Sequence, residues 1–270
     1  MSHIILKDYM SVTISSIHYC PVKSVSFQSI KNCEIKKNIG IVGDRIFAFA
    51  KGLNFEQAKL FEKDPEERRG KWNKILTLKN SPMMNKYNFL FDGNNLTLTF
   101  KNKEILTINS NELNKYELVS NKILELENSI KDPIILMKNE ESPFYDTSIS
   151  KKTVLNHSIS LINNKSIEDF KNKINQEIEI QRFRGNIYIN GIDAWEEQNW
   201  IGKIIKINDI SFKVEKKIPR CVAINLKPNS DDKSLNLLQS LKKNYNHIDM
   251  GIYLTALNDG QINTGEKISF

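Results

Sequence analysis

The sequence predicts a mainly β protein with a few helices, of the β/α+β kind. Three observations carry this: short apolar or alternating runs recur along the chain, turn-forming triplets separate several of them, and few stretches show a helical period. Residues 12–19 alternate loosely, and 45–50 form an apolar run, so both read as strands. Residues 54–61 suit a short helix, and the charged run 62–71 (EKDPEERRGK) reads as an exposed loop. Residues 87–91 and 95–100 flank Asp92-Gly93-Asn94, a good hairpin turn, and 103–108 extend that meander. Residues 125–153 show no clear periodicity. Ser166-Ile167-Glu168-Asp169 resembles a capping box opening a helix to about Ile174. Residues 203–207 and 210–215 flank Asn208-Asp209, with Ile210, Phe212 and Val214 on one face of the second strand. Residues 231–244 carry apolar side chains at 235, 238 and 241, with Asp at the start and Lys near the end, as a helix dipole favours. Residues 252–257, a turn at 258–260 and the run from Gln261 read as a last hairpin. Two or three helices among many short strands suggest a barrel.

A chain of 270 residues can form one large domain or two modest ones. Hydrophobic residues at 40% and charged residues at 26% describe an ordinary globular protein. No run approaches the roughly 18 apolar residues of a membrane-spanning helix, and the start lacks a signal-peptide pattern. The expectation is a cytoplasmic protein without a membrane partner. Cys20, Cys33 and Cys221 form no CxxC pair, which argues against a structural zinc site or an iron–sulfur cluster. A single thiolate ligand or nucleophile stays open. The net charge of +7 admits a nucleic-acid reading, but Lys is scattered among Glu and Asp, and no RNA- or DNA-binding motif appears. No nucleic-acid partner is expected; the positive field favours small anionic ligands.

Four stretches can carry chemistry. In HYCPVKSVSF, Lys23 and Ser24 stand at a strand end, where an ammonium beside a hydroxyl can hold a phosphate; a surface lysine in a turn is the plainer reading. In GIVGDRIFAFA, Arg45 at the mouth of a buried strand needs an anionic partner, either Asp44 or a ligand. In QRFRGNIYIN, Arg182 and Arg184 alternate around Phe183 and point to the face opposite it if extended, so one arginine can face a cavity while Phe183 faces the core; Glu196-Glu197, further on, reads as solvent-exposed or salt-bridged. In KKIPRCVAINLKP, Arg220 beside Cys221 favours thiolate, which suits a soft metal or a nucleophile; a buried structural cysteine is the alternative.

Taken in order, these stretches resemble the MOSC family, molybdenum cofactor sulfurase C-terminal domain proteins, in the form with an N-terminal β-barrel region. The matching pieces are PVKS (21–24), GDR (43–45), RFRGN (182–186), WEE (195–197), W-x-G (200–202), RC (220–221), Pro228, H-x-D-x-G-I-Y (247–253) and G-x-I-x-x-G (260–265). The resemblance implies a smaller N-terminal β-barrel-like region over 1–115 and a MOSC β-barrel domain over 116–270. It implies a molybdopterin-type molybdenum cofactor and, as in the amidoxime-reducing members, an oxidoreductase acting on small N-hydroxylated substrates with electrons from separate electron-transfer proteins. Cys221 then matches the metal ligand and catalytic cysteine. Lys23, Ser24, Arg45, Arg184, Asn186 and Arg220 match cofactor-binding positions, and Asp146-Thr147-Ser148 loosely matches a polar segment near the metal. Asp249 and Tyr253 match without an assigned role. Ile224, Asn225 and Lys227 depart from the family pattern of threonines after RC and an Asp before the proline. The alternative is a sulfur or cofactor carrier with a persulfide on Cys221.

Overall fold

The structure, a computed structural model, describes residues 11–25, 27–145 and 158–270. The first half runs through β1 (Thr13–Tyr19), β2 (Gln28–Ile30), β3 (Asn32–Lys36), β4 (Gly40–Ile41), β5 (Phe47–Lys51), α1 (Phe55–Lys63), α2 (Pro65–Arg68), β6 (Tyr87–Phe91), β7 (Asn95–Phe100), β8 (Lys103–Asn109), α3 (Tyr116–Leu126) and β9 (Ile134–Lys138). The second half adds β10 (Ile159–Asn163), α4 (Asn164–Ile174), β11 (Ile187–Asn190), β12 (Ile204–Ile207), β13 (Ile210–Pro219), α5 (Leu237–Tyr245), β14 (Asp249–Ala256), β15 (Gly260–Asn263) and β16 (Ile268–Ser269). The mainly β class holds, with five α-helices among the described residues rather than two or three.

Eight strands form one sheet in the order β16-β12-β13-β14-β10-β11-β1-β2. Only β10 and β11 in it pair in parallel, and α4 lies in the connection between them, as a parallel crossover requires. Three smaller sheets follow: β15-β3-β4, β5-β9 and β6-β7-β8. These are sheets, not the closed barrels expected. The ends of the large sheet do approach: Thr13 bridges Lys267, and the Ile268 N–H donates to the Val12 carbonyl at 2.9 Å. Among the described residues no continuous ladder closes the ring there.

Local sequence explains much of this. The β6–β7 turn forms because Asp92 accepts the N–H groups of Asn94 and Asn95 at 2.9 and 2.6 Å. Helix α1 starts at Asn54, whose side chain and that of Gln57 cap each other's backbone N–H groups. In β13, Ile210, Phe212 and Val214 are buried as the alternation predicts. Gly251 sits at φ 79° in β14, where an added Cβ would lie 2.4 Å from the Leu161 carbonyl oxygen, so the pairing of β14 with β10 needs glycine there.

Other expectations are corrected. β14 and β15 do not form a hairpin: β15 leaves to pair with β3, because Ile262 finds its buried place against Cys33 and Ile35. Helix α4 is capped by Asn163, not by Ser166, which lies inside the helix and donates to Glu197. Helix α5 begins at Leu237 behind Asn236, and its buried pair is Leu237 and Leu241. The 62–71 run is no exposed loop: Glu62 accepts the Lys138 N–H, and Arg68 is 3% exposed, stacked over Phe144. Residues 125–145 contain the end of α3 and the whole of β9. Glu197 is fully buried, bonded by Ser166 and Asn163, and burial pushes its carboxyl up.

Candidate functional site

The seven residues singled out from sequence, Lys23, Ser24, Arg45, Arg184, Asn186, Arg220 and Cys221, all line one cavity of about 280 Å³. They arrive on four separate connections. Lys23 and Ser24 follow β1 in a turn held against the start of β5: the Lys23 N–H donates to the Phe47 carbonyl at 2.8 Å, and the Phe47 N–H to Pro21 at 3.0 Å. Arg45 stands between β4 and β5, its N–H on the Cys20 carbonyl at 2.7 Å. Arg184 ends a 3₁₀ turn over Ile180–Phe183, just before β11. Arg220 and Cys221 follow β13, whose pairing with β14 is bulged at Val214/Lys216 and Lys217/Pro219. Bulges of this kind re-aim the side chains beyond them.

Backbone conformation marks the same place. Ser24, Arg45 and Arg184 have φ of 65°, 55° and 50°. Apart from asparagines, only Lys101 and Trp195 join them among described non-glycine residues with positive φ. Left-handed backbone is costly for such residues and persists where surrounding structure imposes it, commonly at ligand sites.

A buried carboxylate organises the cationic wall. Asp44 is 1% exposed and accepts the Cys20 N–H at 2.7 Å, the Asn186 side-chain amide at 3.3 Å and the Arg45 guanidinium. Burial pushes the Asp44 carboxyl up, against the pull of Arg45 and those two donors. Burial works against the Arg45 charge as well, and Asp44 together with Cys20, Tyr145 and Tyr253 more than offsets it, so Arg45 is held above the ordinary arginine range. The Arg45 guanidinium also lies 5.4 Å from the Phe27 ring centroid and 5.5 Å from that of Tyr145. Thus Asp44 is Arg45's partner inside the protein, while Arg45 still lines the cavity.

The other cations are anchored differently. Lys23, 9% exposed, is no surface turn lysine; its ammonium donates to the Tyr145 carbonyl at 3.0 Å. Arg184 donates to the Val25 carbonyl at 2.7 Å and lies 4.8 Å from the Phe27 ring; burial lowers its pKa. Arg220 spends its guanidinium on the carbonyls of Met250 and Phe183, and burial lowers its pKa too. It therefore braces the loop that carries Cys221. Asn186 uses its side-chain oxygen on the Ser160 N–H and hydroxyl, at 3.1 and 2.8 Å, and its amide on His18 and Asp44. It ties β10 and β1 to the Asp44 cluster.

Cys221 is exposed, whereas Cys20 and Cys33 are buried. That removes the reading of Cys221 as a buried structural thiol. Among the described residues no group of three His, Cys, Asp or Glu side chains converges to hold a metal ion.

Lys79, Tyr145, Ser158, Ser160 and Tyr253 also line the cavity. Sequence reasoning missed the first four. Ser158 and Ser160 carried a signal, small polar residues alternating into an apolar strand; Lys79 carried none. Tyr253 lies opposite Ser160 across the sheet, while Asp249 pairs with Pro219 and is not part of the lining. Arg182 points elsewhere, to Glu179 and the Asn225 carbonyl. Of the departures, Ile224 is buried, Asn225 bonds Asn236 and the Leu238 N–H, and Lys227 bonds through its backbone to Asp232 and Asn85; none of the three lines the cavity. Asp146-Thr147-Ser148 lies outside the described residues. A second cavity of about 320 Å³ shares Arg184 and Ala223 with the first and is lined by Phe27, Asn85, Gln181 and Asn229 among others.

Five cations line the main cavity, Lys23, Arg45, Lys79, Arg184 and Arg220, with no carboxylate among the described lining residues and one exposed thiol at its edge. Such a lining creates a positive field that favours an anionic ligand. Residues 149–269 match the family model of the MOSC domain. Over 72 residues the chain is 31% identical to mitochondrial amidoxime reducing component 2 of Rattus norvegicus, a match covering 27% of this chain and 21% of that protein. Among solved structures, the YUAD protein from Bacillus subtilis aligns at a TM-score of 0.44 with 10% identity, covering 96% of this chain and 94% of that one. YiiM from Geobacillus stearothermophilus aligns at 0.33 with 14% identity, covering 41% and 52%.

Proposed function

We propose that the cationic cleft binds a molybdopterin-type molybdenum cofactor, with Cys221 as the protein's ligand to the metal, and that the protein is an oxidoreductase reducing N-hydroxylated compounds. The observation that carries this is the lining: five cations without a carboxylate, beside a single exposed thiol. The residues fit the group. One thiol cannot hold a metal ion by itself, so a metal here must bring its own further donors, as a dithiolene does. The phosphate of such a cofactor would meet the Lys23 ammonium and the Ser24 hydroxyl, with Arg45, held by Asp44, alongside. When bound, the cofactor supplies two-electron redox chemistry.

The protein's own residues would then orient and hold. Asp44 keeps Arg45 in place, Arg184 stands between the two cavities, and Arg220 braces the Cys221 loop. A small-molecule substrate fits the adjoining cavity, whose Ala223 belongs to the same 3₁₀ turn that Cys221 caps. Electrons come from separate redox proteins in this reading. The division into 1–115 and 116–270 remains part of the proposal: Lys23, Ser24 and Arg45 come from the first region and Arg184, Asn186, Arg220 and Cys221 from the second, so neither region alone builds the cleft.

The test is molybdenum and pterin content of protein purified from a cofactor-producing host, wild type beside Cys221→Ser. Stoichiometric cofactor in the wild type, with metal content or spectrum altered in the variant, supports the reading and calls for a screen of N-hydroxylated substrates. Absence of both molybdenum and pterin refutes it. The exposure of Cys221 favours one second reading, a sulfur or cofactor carrier; sulfane sulfur on Cys221 without molybdenum would select it.

A further inference from the structure

Away from the cationic cleft, and sharing no lining residue with it, a cavity of about 600 Å³ lies between α1, α3 and β9. Its floor is the β9 segment from Pro133 to Met137, and Ala58 and Leu124 belong to its walls. Phe55 and Leu113, at its edge, are each 60% exposed. Volume and lining fall in the range of sites that enclose a small organic ligand.

The hydrogen bonding of β9 says what kind. Among the described residues this strand pairs only with β5, and no strand lies along its other edge. That edge is where a peptide strand would add, using backbone N–H groups. Two of those N–H groups are already taken by side chains of the flanking helices: Leu136 donates to the Ser120 hydroxyl at 3.1 Å and Lys138 to the Glu62 carboxylate at 2.9 Å. Both side chains are buried. Strand addition is therefore blocked, and an occupant must be a compact molecule. By the alternation of an antiparallel ladder, the carbonyls of Ile134 and Leu136 and the N–H of Ile134 face this same edge, so the floor offers two acceptors to one donor. The cation in the lining, Lys59, is paired with Glu62 at 2.6 Å, which leaves no ready countercharge for an anionic head.

We propose that this cavity is a binding site for an uncharged, mostly apolar small molecule carrying a hydrogen-bond donor. It is separate from the cofactor cleft and does not depend on what that cleft binds.

The test uses the whole protein and the neutral fluorophore N-phenyl-1-naphthylamine, which has two aromatic groups and one N–H. Saturable binding at one site per chain is expected, with no displacement by inorganic phosphate. Leu124→Trp fills the cavity from α3 and should weaken the probe about tenfold or more. Because Leu124 is partly buried, a second variant, Phe55→Ser with Leu113→Ser, changes only exposed edge residues and should also weaken binding while leaving the melting temperature near wild type. Non-saturable binding, phosphate displacement, or unchanged affinity in the folded edge variant would overturn the proposal.

Discussion

Replacing Asp44 with asparagine removes a charge and almost no volume, so it tests whether this carboxylate organises the cleft. In the wild type, one carboxylate oxygen accepts the Cys20 N–H, and the other accepts both the Asn186 amide and the Arg45 guanidinium. An asparagine can keep the Cys20 bond. Its amide group then faces two donors, and Arg45 loses its only anionic partner among the described residues. A charge-assisted hydrogen bond contributes about 1.5–3 kcal/mol, and a buried donor left unmatched costs about 1–3 kcal/mol more. The sum agrees with the roughly 3–5 kcal/mol expected when a buried ion pair loses one member. For a chain of this size that corresponds to a fall in melting temperature of roughly 6–20 °C. Urea unfolding followed by circular dichroism, with melting in parallel, measures it. A loss below about 1 kcal/mol would refute the argument, since it would mean the pair is solvated or readily replaced.

The thiols give two further predictions. In native protein at mild pH, a chromogenic aromatic disulfide should titrate one thiol per chain quickly, and Cys221→Ser should abolish that reaction. Cys20 and Cys33 are buried, and burial pushes the Cys33 thiol up to about 12, leaving roughly one thiolate in ten thousand at about pH 8. Two or three fast thiols in the folded wild type would contradict the burial. Because the Cys33 pKa is raised in the folded state, its contribution to stability is complete below its ordinary 9.0 and is lost as pH rises toward about 12. Between about pH 8 and pH 10.5 the wild type should therefore lose roughly 2 kcal/mol more than Cys33→Ala. Parallel pH dependence of the two urea midpoints would count against it.

Much of the site was legible because its residues sit in short local patterns. PVKS, GDR, RFRGN and RC are each contiguous, and each folds as one turn or strand end, so the side chains that matter travel together. The β6–β7–β8 meander and the β12–β13 hairpin were legible for the same reason: turn chemistry and alternation act within a few residues. Where long-range contacts decided, local reading failed. Glu197 looks like a surface carboxylate by its neighbours, yet Ser166 and Asn163 from α4 and its cap bury it. Arg68 sits in a charged run, yet the Phe144 ring and the Ser142 carbonyl take it inside. β15 follows a hairpin-like turn, yet its best apolar partner is β3, more than 200 residues earlier.

By itself, then, the sequence determined the mainly β class and the turns that end its strands, and its resemblance to a family singled out a set of cationic side chains and one thiol. The class and the turns follow from propensity and alternation, which are local. Only the tertiary structure decided that the four stretches meet in one cleft, that Cys221 and not Cys20 is open to solvent, that Arg220 is a brace, and that β15 crosses to β3. Each of these depends on which distant backbone carbonyls, carboxylates and apolar faces come within reach, and burial and hydrogen-bond satisfaction settle that only when the whole chain packs.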